Sequence, residues 1–122
     1  MKVLLGIGGS EDSLRALPRM IERAGAAGDD LTVAIVDNPE SPETADEIEA
    51  AVGEELGAAG VDAAIRRVEG DPGSRLVEIA EEEGFDAIAL GGGQRSPMGK
   101  IRLGPIAEFV VLNAPVSVIL IR

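Results

Sequence analysis

The chain has 122 residues, the size of one domain with a single hydrophobic core. It contains no cysteine and no histidine, which excludes disulfide frameworks, ordinary zinc sites and Ser-His or Cys-His nucleophile pairs. Acidic residues outnumber basic ones by 22 to 11, and the net charge of −11 predicts that neither nucleic acid nor an anionic membrane is a partner.

The composition also predicts where the protein works. The N-terminal residues show no basic segment followed by an apolar run, and no apolar stretch reaches membrane-spanning length, so a cytoplasmic protein is predicted. Lysine occurs only at Lys2 and Lys100, while acids and small residues are abundant. This composition is similar to that of proteins from salt-loving organisms and predicts a halophilic protein.

The first half of the chain predicts two strands, each followed by a helix. Apolar residues 3–7 and 31–36 predict the strands. Ser10 can cap the first helix, in which Pro18 predicts a kink or a late start because proline removes an interior hydrogen bond. Ser41-Pro42 predicts the start of the second helix, as a cap followed by proline. The residues predicted to face the core are Leu14, Leu17, Ile21 and Ala24 in the first helix and Ile48, Val52, Leu56 and Ala59 in the second.

The second half continues the alternation. Residues 63–68 predict a third strand, and residues 87–90 predict a fourth. Between them, Asp71-Pro72 predicts the start of a helix that Gly84 ends, with Leu76, Ile79 and Ala80 facing inward. A last helix is predicted from Gly104 to about Asn113, followed by a fifth strand over residues 116–121.

This alternation predicts an α/β fold with a single doubly wound, five-stranded parallel sheet in the flavodoxin-like order 3-2-1-4-5. Strand three suits a solvent edge because it carries Arg66 and Arg67. Strand five is uncharged from Val116 to Ile121, yet it would lie at the other edge with open hydrogen bonds. Natural edges are usually blunted by charge or proline, so a homodimer through Val116 to Ile121 is predicted.

Residues 87–107 contain no acid but hold three consecutive glycines and three cations, Arg95, Lys100 and Arg102. In a doubly wound sheet the ligand crevice opens at the carboxyl ends of strands one and four, so this loop would meet Gly8-Gly9-Ser10 there. Backbone N–H groups of such loops can point at phosphate, and basic side chains can neutralise it. The alternative is a surface loop whose bases offset the surrounding acids.

Three segments resemble the universal stress protein (UspA) family along nearly the whole chain. They are VLLGIGGSEDSLRAL, EGDPGSRLVEIAEEEGFDAIALGGG and LGPIAEFVVLNAPVSVILIR. The resemblance implies one universal stress protein domain over residues 1–122, with an adenine nucleotide alpha hydrolase-like topology. It also implies a role in the stress response, homodimers joined by the last strand and, in many members, ATP binding.

The family's ATP-binding pattern, Gly-x-x-Gly-x9-Gly-Ser/Thr with an Asp ending strand one, is degenerate here. Gly91 and Gly104 match, but Gln94, Pro105 and Gly8 replace the second glycine, the hydroxyl residue and the Asp. Pro105 offers neither hydroxyl nor N–H to a phosphate. The predicted site for ATP or AMP comprises Gly6, Ile7, Gly8, Gly9, Ser10, Ile35, Leu90, Gly91, Gly92, Gly93, Gln94, Arg95, Lys100, Arg102, Gly104, Pro105 and Ile106.

The sequence therefore predicts a binding protein with no catalytic residues and no metal site, in which weak ATP hydrolysis stays open. One alternative is a family member that binds no nucleotide and acts through an unknown protein client. A remote one is a PP-loop ATP pyrophosphatase fragment, to whose Ser-Gly-Gly-x-Asp-Ser loop residues 8–13 are similar, but the Asp comes one residue late. A receiver domain would need acids where Gly8 stands, and a flavodoxin would use aromatic stacking residues that are scarce here.

Overall fold

A computed structural model describes residues 1–8, 11–38, 41, 43–91, 94–95 and 101–121. Strands and helices alternate along most of this chain. The elements, in order, are β1 (Lys2–Ile7), α1 (Glu11–Ala27), β2 (Asp30–Val36), α2 (Ala45–Ala59), β3 (Ala64–Val68), α3 (Pro72–Glu82), β4 (Ala87–Gly91), β5 (Gln94–Arg95), β6 (Ile101–Arg102), α4 (Pro105–Asn113) and β7 (Ser117–Ile121).

The main sheet has five parallel strands in the order β3-β2-β1-β4-β7. Since β7 is its fifth strand along the chain, the predicted order 3-2-1-4-5 is confirmed. The order reverses at β1, where Gly6 lies opposite Ala34 of β2 on one side and Leu90 of β4 on the other. The carboxyl ends of β1 and β4 therefore meet at one edge of the sheet, which is where a doubly wound fold opens its crevice.

Two helices cover each face of the sheet, so both faces are buried. On one face, Leu17 and Ile21 of α1 and Val52 of α2 pack against strand residues such as Leu5. On the other, Leu76 of α3 and Val110 of α4 belong to a second cluster of buried residues. Nearly all residues of β1 and β4 are buried, which explains their continuous apolar sequences. Within the described ranges, no helix combines the length and hydropathy needed to cross a bilayer.

Helix α1 begins at Glu11 and continues through Pro18, so of the two predicted alternatives the late start is wrong and the kink stays a prediction. Pro18 is exposed, while Leu17 and Ile21 beside it are almost fully buried. Packing of this apolar face stabilises the helix despite the hydrogen bond that proline removes.

Helix α2 begins three residues later than predicted. Thr44, not Ser41, is the N-cap: its hydroxyl accepts from the Glu47 N–H at 3.2 Å, and the Glu47 carboxylate accepts from the Thr44 N–H at 3.2 Å. The Ser41 hydroxyl is instead bonded to the backbone of Glu43. The predicted buried position of Ala59 is also wrong, because this last-turn residue lies at a shallow groove between α1 and α2 that is open to water.

The remaining helix boundaries follow the sequence closely. Asp71 caps α3 by accepting from the Ser74 N–H at 3.1 Å, and Gly84 has a φ of +69° just beyond the helix end. Helix α4 begins at Pro105, one residue after the predicted Gly104, and ends at Asn113 as predicted. The sequence did not predict the short antiparallel pairing of β5 with β6, because two-residue strands show no periodicity.

The two edges of the sheet differ in character. At the β3 edge, Arg66 donates to both carboxylate oxygens of Glu83 at 2.7 Å, so charge protects this edge as predicted. At the β7 edge every side chain is exposed or half-buried, and none is charged. Leu120 of β7 is 38% exposed and Leu112 of the preceding helix is 73% exposed. An apolar edge of this kind offers open backbone hydrogen bonds to a further strand.

Candidate functional site

The crevice between β1 and β4 is narrow. A cavity of about 50 Å³ opens at the carboxyl ends of these strands, and it contains several of the predicted site residues. Its lining comprises Gly6, Gly8, Ser13, Val36, Asn38, Leu76, Leu90, Gly91, Ile106 and Ala107. We call it the β4 cavity. It is mainly apolar and lies between the end of β4 and the start of α4.

Close packing at Gly6 explains the small volume of the β4 cavity. A Cβ atom at Gly6 would lie 2.8 Å from Leu76 Cδ1 and 2.9 Å from Leu90 Cδ2, so any side chain there would have to displace these two leucines. The neighbouring Ile7 is fully buried in the core. A ligand at this end of β1 can therefore meet the backbone of Gly6 and Ile7, but not an Ile7 side chain.

A larger cavity, of about 540 Å³, lies next to it at the carboxyl ends of β1, β2 and β3. We call it the β2 cavity. Its lining includes the apolar residues Ile35, Val36 and Ile48 together with polar and charged residues. The complete lining is Gly8, Ile35, Val36, Asp37, Asn38, Ser41, Glu43, Thr44, Ala45, Ile48, Arg67, Val68 and Glu69. Of the predicted site residues, this list contains Gly8 and Ile35.

Sequence reasoning missed the polar residues of the β2 cavity. Asp37 and Asn38 directly follow β2, and Glu69 directly follows β3, so all three lie at the ligand-binding edge of a parallel sheet. That position was the signal that could have identified them. The prediction relied on the glycine-rich loops instead, and therefore placed the site at β1 and β4.

Carboxylates dominate the electrostatics of the β2 cavity. Asp37, Glu43 and Glu69 line it, together with the guanidinium of Arg67. Arg67 donates a hydrogen bond to Asp46 and another to Glu49, at 3.4 Å, both on α2. The bond to Asp46 is the main reason that the pKa of Arg67 is raised above its ordinary value. Arg67 thus stays charged, but two carboxylates outside the cavity already share its charge.

The start of α4 borders the β4 cavity and offers few donors. Gly104 is the N-cap and makes no side-chain hydrogen bond to the helix, and Pro105 occupies the first turn without an N–H. A hydroxyl residue at this turn would add a donor to the helix N-terminus. Of the three degenerate motif positions, Pro105 thus lies in the first turn of α4, beside Ile106 and Ala107 of the β4 cavity.

The structure brings part of the basic loop together. Gln94 pairs with Arg102 and Arg95 pairs with Ile101 across the β5–β6 hairpin. The side chains of Gln94, Arg95 and Arg102 lie outside the described part of the structure, as do five whole residues of the predicted site: Gly9, Ser10, Gly92, Gly93 and Lys100. Among the residues described, no group of three or more potential ligands could hold a metal ion.

Fold and cavities together define a small doubly wound α/β protein that opens at the carboxyl ends of its strands. A family model described as the universal stress protein family matches residues 1–122. A curated universal stress protein from Methanothermobacter thermautotrophicus is 44% identical over 54 residues, which are 44% of this chain and 36% of that relative. The chain therefore belongs to the universal stress protein family.

Solved structures agree with this assignment over the full length of the chain. The structure of a universal stress protein from Archaeoglobus fulgidus is 27% identical, with a TM-score of 0.69, and the match covers 100% of this chain and 98% of that one. A universal stress protein crystallised in complex with cAMP is 26% identical, with a TM-score of 0.72, and the match covers 100% and 97%.

Proposed function

We propose that residues 1–122 form one cytoplasmic, homodimeric domain that binds an adenine nucleotide, such as AMP or ATP, and serves in the stress response. The predicted site residues stay part of this proposal, and the polar residues of the β2 cavity are added to it. Support comes from the family, from the related protein crystallised with cAMP, and from the two adjoining cavities. We propose no catalytic role.

The observation that carries the proposal is the junction of the two cavities. Gly8, Val36 and Asn38 line both of them, so they adjoin along the carboxyl ends of β2, β1 and β4. The β2 cavity has the size of a small-molecule site, which is about 300–1,000 Å³. In our proposal the base and sugar occupy the β2 cavity, while the phosphate lies towards Gly91 and Gly104.

We expect the site to bind the phosphate end of the nucleotide weakly. Pro105 has no N–H, Gly104 has no side chain, and Gly8 carries no carboxylate that could hold a metal ion or a sugar hydroxyl. The basic residues Arg95, Lys100 and Arg102 would offset part of this loss through charge. We therefore expect nucleotide binding without efficient hydrolysis.

Restoring the lost donors tests the proposal. In the double variant Pro105→Ser, Gln94→Gly, ATP binding measured by calorimetry should tighten about tenfold or more, since one charge-assisted hydrogen bond contributes about 1.5–3 kcal/mol. Replacing Lys100 and Arg102 by Ala should weaken ATP binding more than adenosine binding, because these cations would meet only phosphates. If the restored variant still binds no ATP at millimolar concentration, the proposal fails.

A second candidate is an interaction protein that binds no nucleotide. The replacement of three motif positions, Gly8, Gln94 and Pro105, favours it. In that case the basic loop only compensates the surrounding acids. Mass spectrometry of small molecules released from the denatured, freshly purified protein separates the candidates: retained adenine nucleotide supports the first, and none in either the wild type or the restored variant supports the second.

A further inference from the structure

Asn38 links the ends of two neighbouring strands. It lies two residues beyond β2, and its side-chain Nδ2 donates a hydrogen bond of 3.0 Å to the carbonyl oxygen of Gly8, just beyond β1. The contact is half-buried. The Asn38 amide therefore lies against the backbone at the end of β1, where the family's ATP-binding pattern carries an aspartate and this chain carries glycine.

Position 8 carries no side chain, and the polar side chain next to it is that of Asn38. A Cβ atom at Gly8 would lie 3.4 Å from Asn38 Nδ2, 3.5 Å from Val36 Cγ2 and 3.6 Å from Asn38 Cβ. These are ordinary van der Waals distances, so a side chain at position 8 would begin directly beside the Asn38 amide. The Asn38 amide therefore lies directly beside the place where a carboxylate side chain at position 8 would begin.

Asn38 also stands at the boundary between the two cavities. The residues that line both are Gly8, Val36 and Asn38, and of these only Asn38 has a polar side chain. In the nucleotide arrangement proposed above, this boundary falls between the base in the β2 cavity and the phosphate towards Gly91. The sugar, at the end of the β2 cavity that faces the phosphate, is the group that borders it.

We propose that Asn38 is a specificity-determining residue of this site, whose neutral amide borders the sugar in place of a carboxylate on β1. This inference rests on the proposed nucleotide-binding function. A neutral amide does not repel a phosphate group, whereas a carboxylate at the same point does. The Asn38 amide itself therefore adds no charge penalty for AMP relative to adenosine.

Two substitutions at Asn38 distinguish two roles of its side chain: contact with the nucleotide, and support of the backbone at Gly8. Asn38→Ala and Asn38→Asp both lose the donor that holds the Gly8 carbonyl, since an ionised carboxylate only accepts. We expect Asn38→Ala to weaken adenosine and AMP binding alike, by about two- to tenfold. Asn38→Asp should weaken AMP about tenfold more than adenosine, because the new carboxylate repels the phosphate.

Asn113→Ala is the matched control. The Asn113 Nδ2 donates 2.8 Å to the Phe109 carbonyl oxygen, so this variant also removes an amide-to-carbonyl bond. Asn113 ends α4, which places it away from both cavities. Its affinities for adenosine and AMP should equal those of the wild type, and thermal melts of all variants report whether folding is affected.

The outcomes are distinct when calorimetry is run with adenosine and AMP. Equal losses of both ligands in Asn38→Asp would show a purely structural role and overturn the inference, as would unchanged affinities in both Asn38 variants. If the wild type binds neither ligand at millimolar concentration, the proposed function itself fails. Should a variant not fold, NMR of the wild type decides: addition of AMP should shift the Asn38 side-chain amide resonances, and unshifted resonances contradict the inference.

Discussion

Gly73 on α3 shows how one missing side chain sets the contact between two helices. A Cβ atom there would lie 2.7 Å from Cδ1, 3.0 Å from Cγ and 3.1 Å from Cβ of Phe109 on α4. The clash involves the root of the Phe109 side chain as well as its ring, so a small rotation of the ring does not relieve it. Close approach of α3 and α4 in turn positions the start of α4 beside the β4 cavity.

We predict that Gly73→Ala lowers the free energy of unfolding by about 1–3 kcal/mol, because it overpacks the contact with Phe109. Gly53→Ala is the control, since Gly53 lies inside α2 and an added Cβ there would have no atom within 4 Å beyond its chain neighbours and the backbone of its own helix. That variant should gain about 0.4–1 kcal/mol, as alanine restricts the unfolded chain. Urea unfolding measures both, and a stabilised Gly73→Ala would contradict the described packing.

At the scale of single elements, helix α2 shows which local pattern prevails when two compete. Ser41-Pro42 and Thr44 with Glu47 both suit a helix start. The structure uses Thr44, because Glu47 at the third helical position returns a second hydrogen bond to the cap. The choice affects the site, since Ser41, Glu43 and Thr44 all line the β2 cavity.

Replacing the cap should therefore distinguish the two patterns. Thr44→Ala is expected to lower the free energy of unfolding by about 0.5–2 kcal/mol, which is typical of a lost N-cap. Ser41→Ala should cost less, because within the described residues the Ser41 hydroxyl bonds to the nearby backbone of Glu43 and not to the helix start. Chemical denaturation followed by circular dichroism measures both, and a larger loss for Ser41→Ala would place the functional cap at Ser41.

For the whole molecule, the apolar β7 edge favours a second copy of the chain. In our proposed dimer two β7 strands pair across a two-fold axis and extend the sheet. We predict that Leu120→Lys converts a dimer into a monomer, because Leu120 is 38% exposed and the lysine would place charge in the interface. Light scattering at micromolar concentration and high salt measures the mass.

Ala64→Lys supplies the control for the dimer. Ala64 is an exposed residue on β3, the opposite edge of the sheet, so this lysine should leave the dimer intact. A monomeric wild type, or a Leu120→Lys variant that stays dimeric, would exclude pairing through β7.

The net charge leads to a prediction about salt. We expect the melting temperature to rise from dilute buffer to about 1 M KCl, because ions screen the repulsion among the surface acids. The variant Glu54→Lys, Glu55→Lys changes the net charge from −11 to −7, since each exchange adds two positive units, and both positions are exposed. Its melting temperature should depend less on salt. A wild-type curve that is flat or falls would contradict the predicted halophilic character.

The sequence alone determined the alternation of elements, the strand order and most of the core. Strands buried on both faces must be continuously apolar, and helices packed on one face repeat their apolar residues every three to four positions, so these features are local in the sequence. The cap at Asp71 was predicted for the same reason. The Ser41 start of α2 was wrong because a stronger local pattern lay three residues further along.

Only the tertiary structure decided the shape of the candidate site. The glycine loops predicted a crevice between β1 and β4, but the packing of Leu76 and Leu90 around Gly6 leaves just a small cavity there. The larger cavity arises where lining residues of β2, α2 and the segment between them meet Gly8 and residues 67–69, which come from distant parts of the sequence. Their proximity, like the bond from Asn38 to Gly8, depends on strand order and packing rather than on any local pattern, because cavity volume is what remains after side chains from several elements pack together.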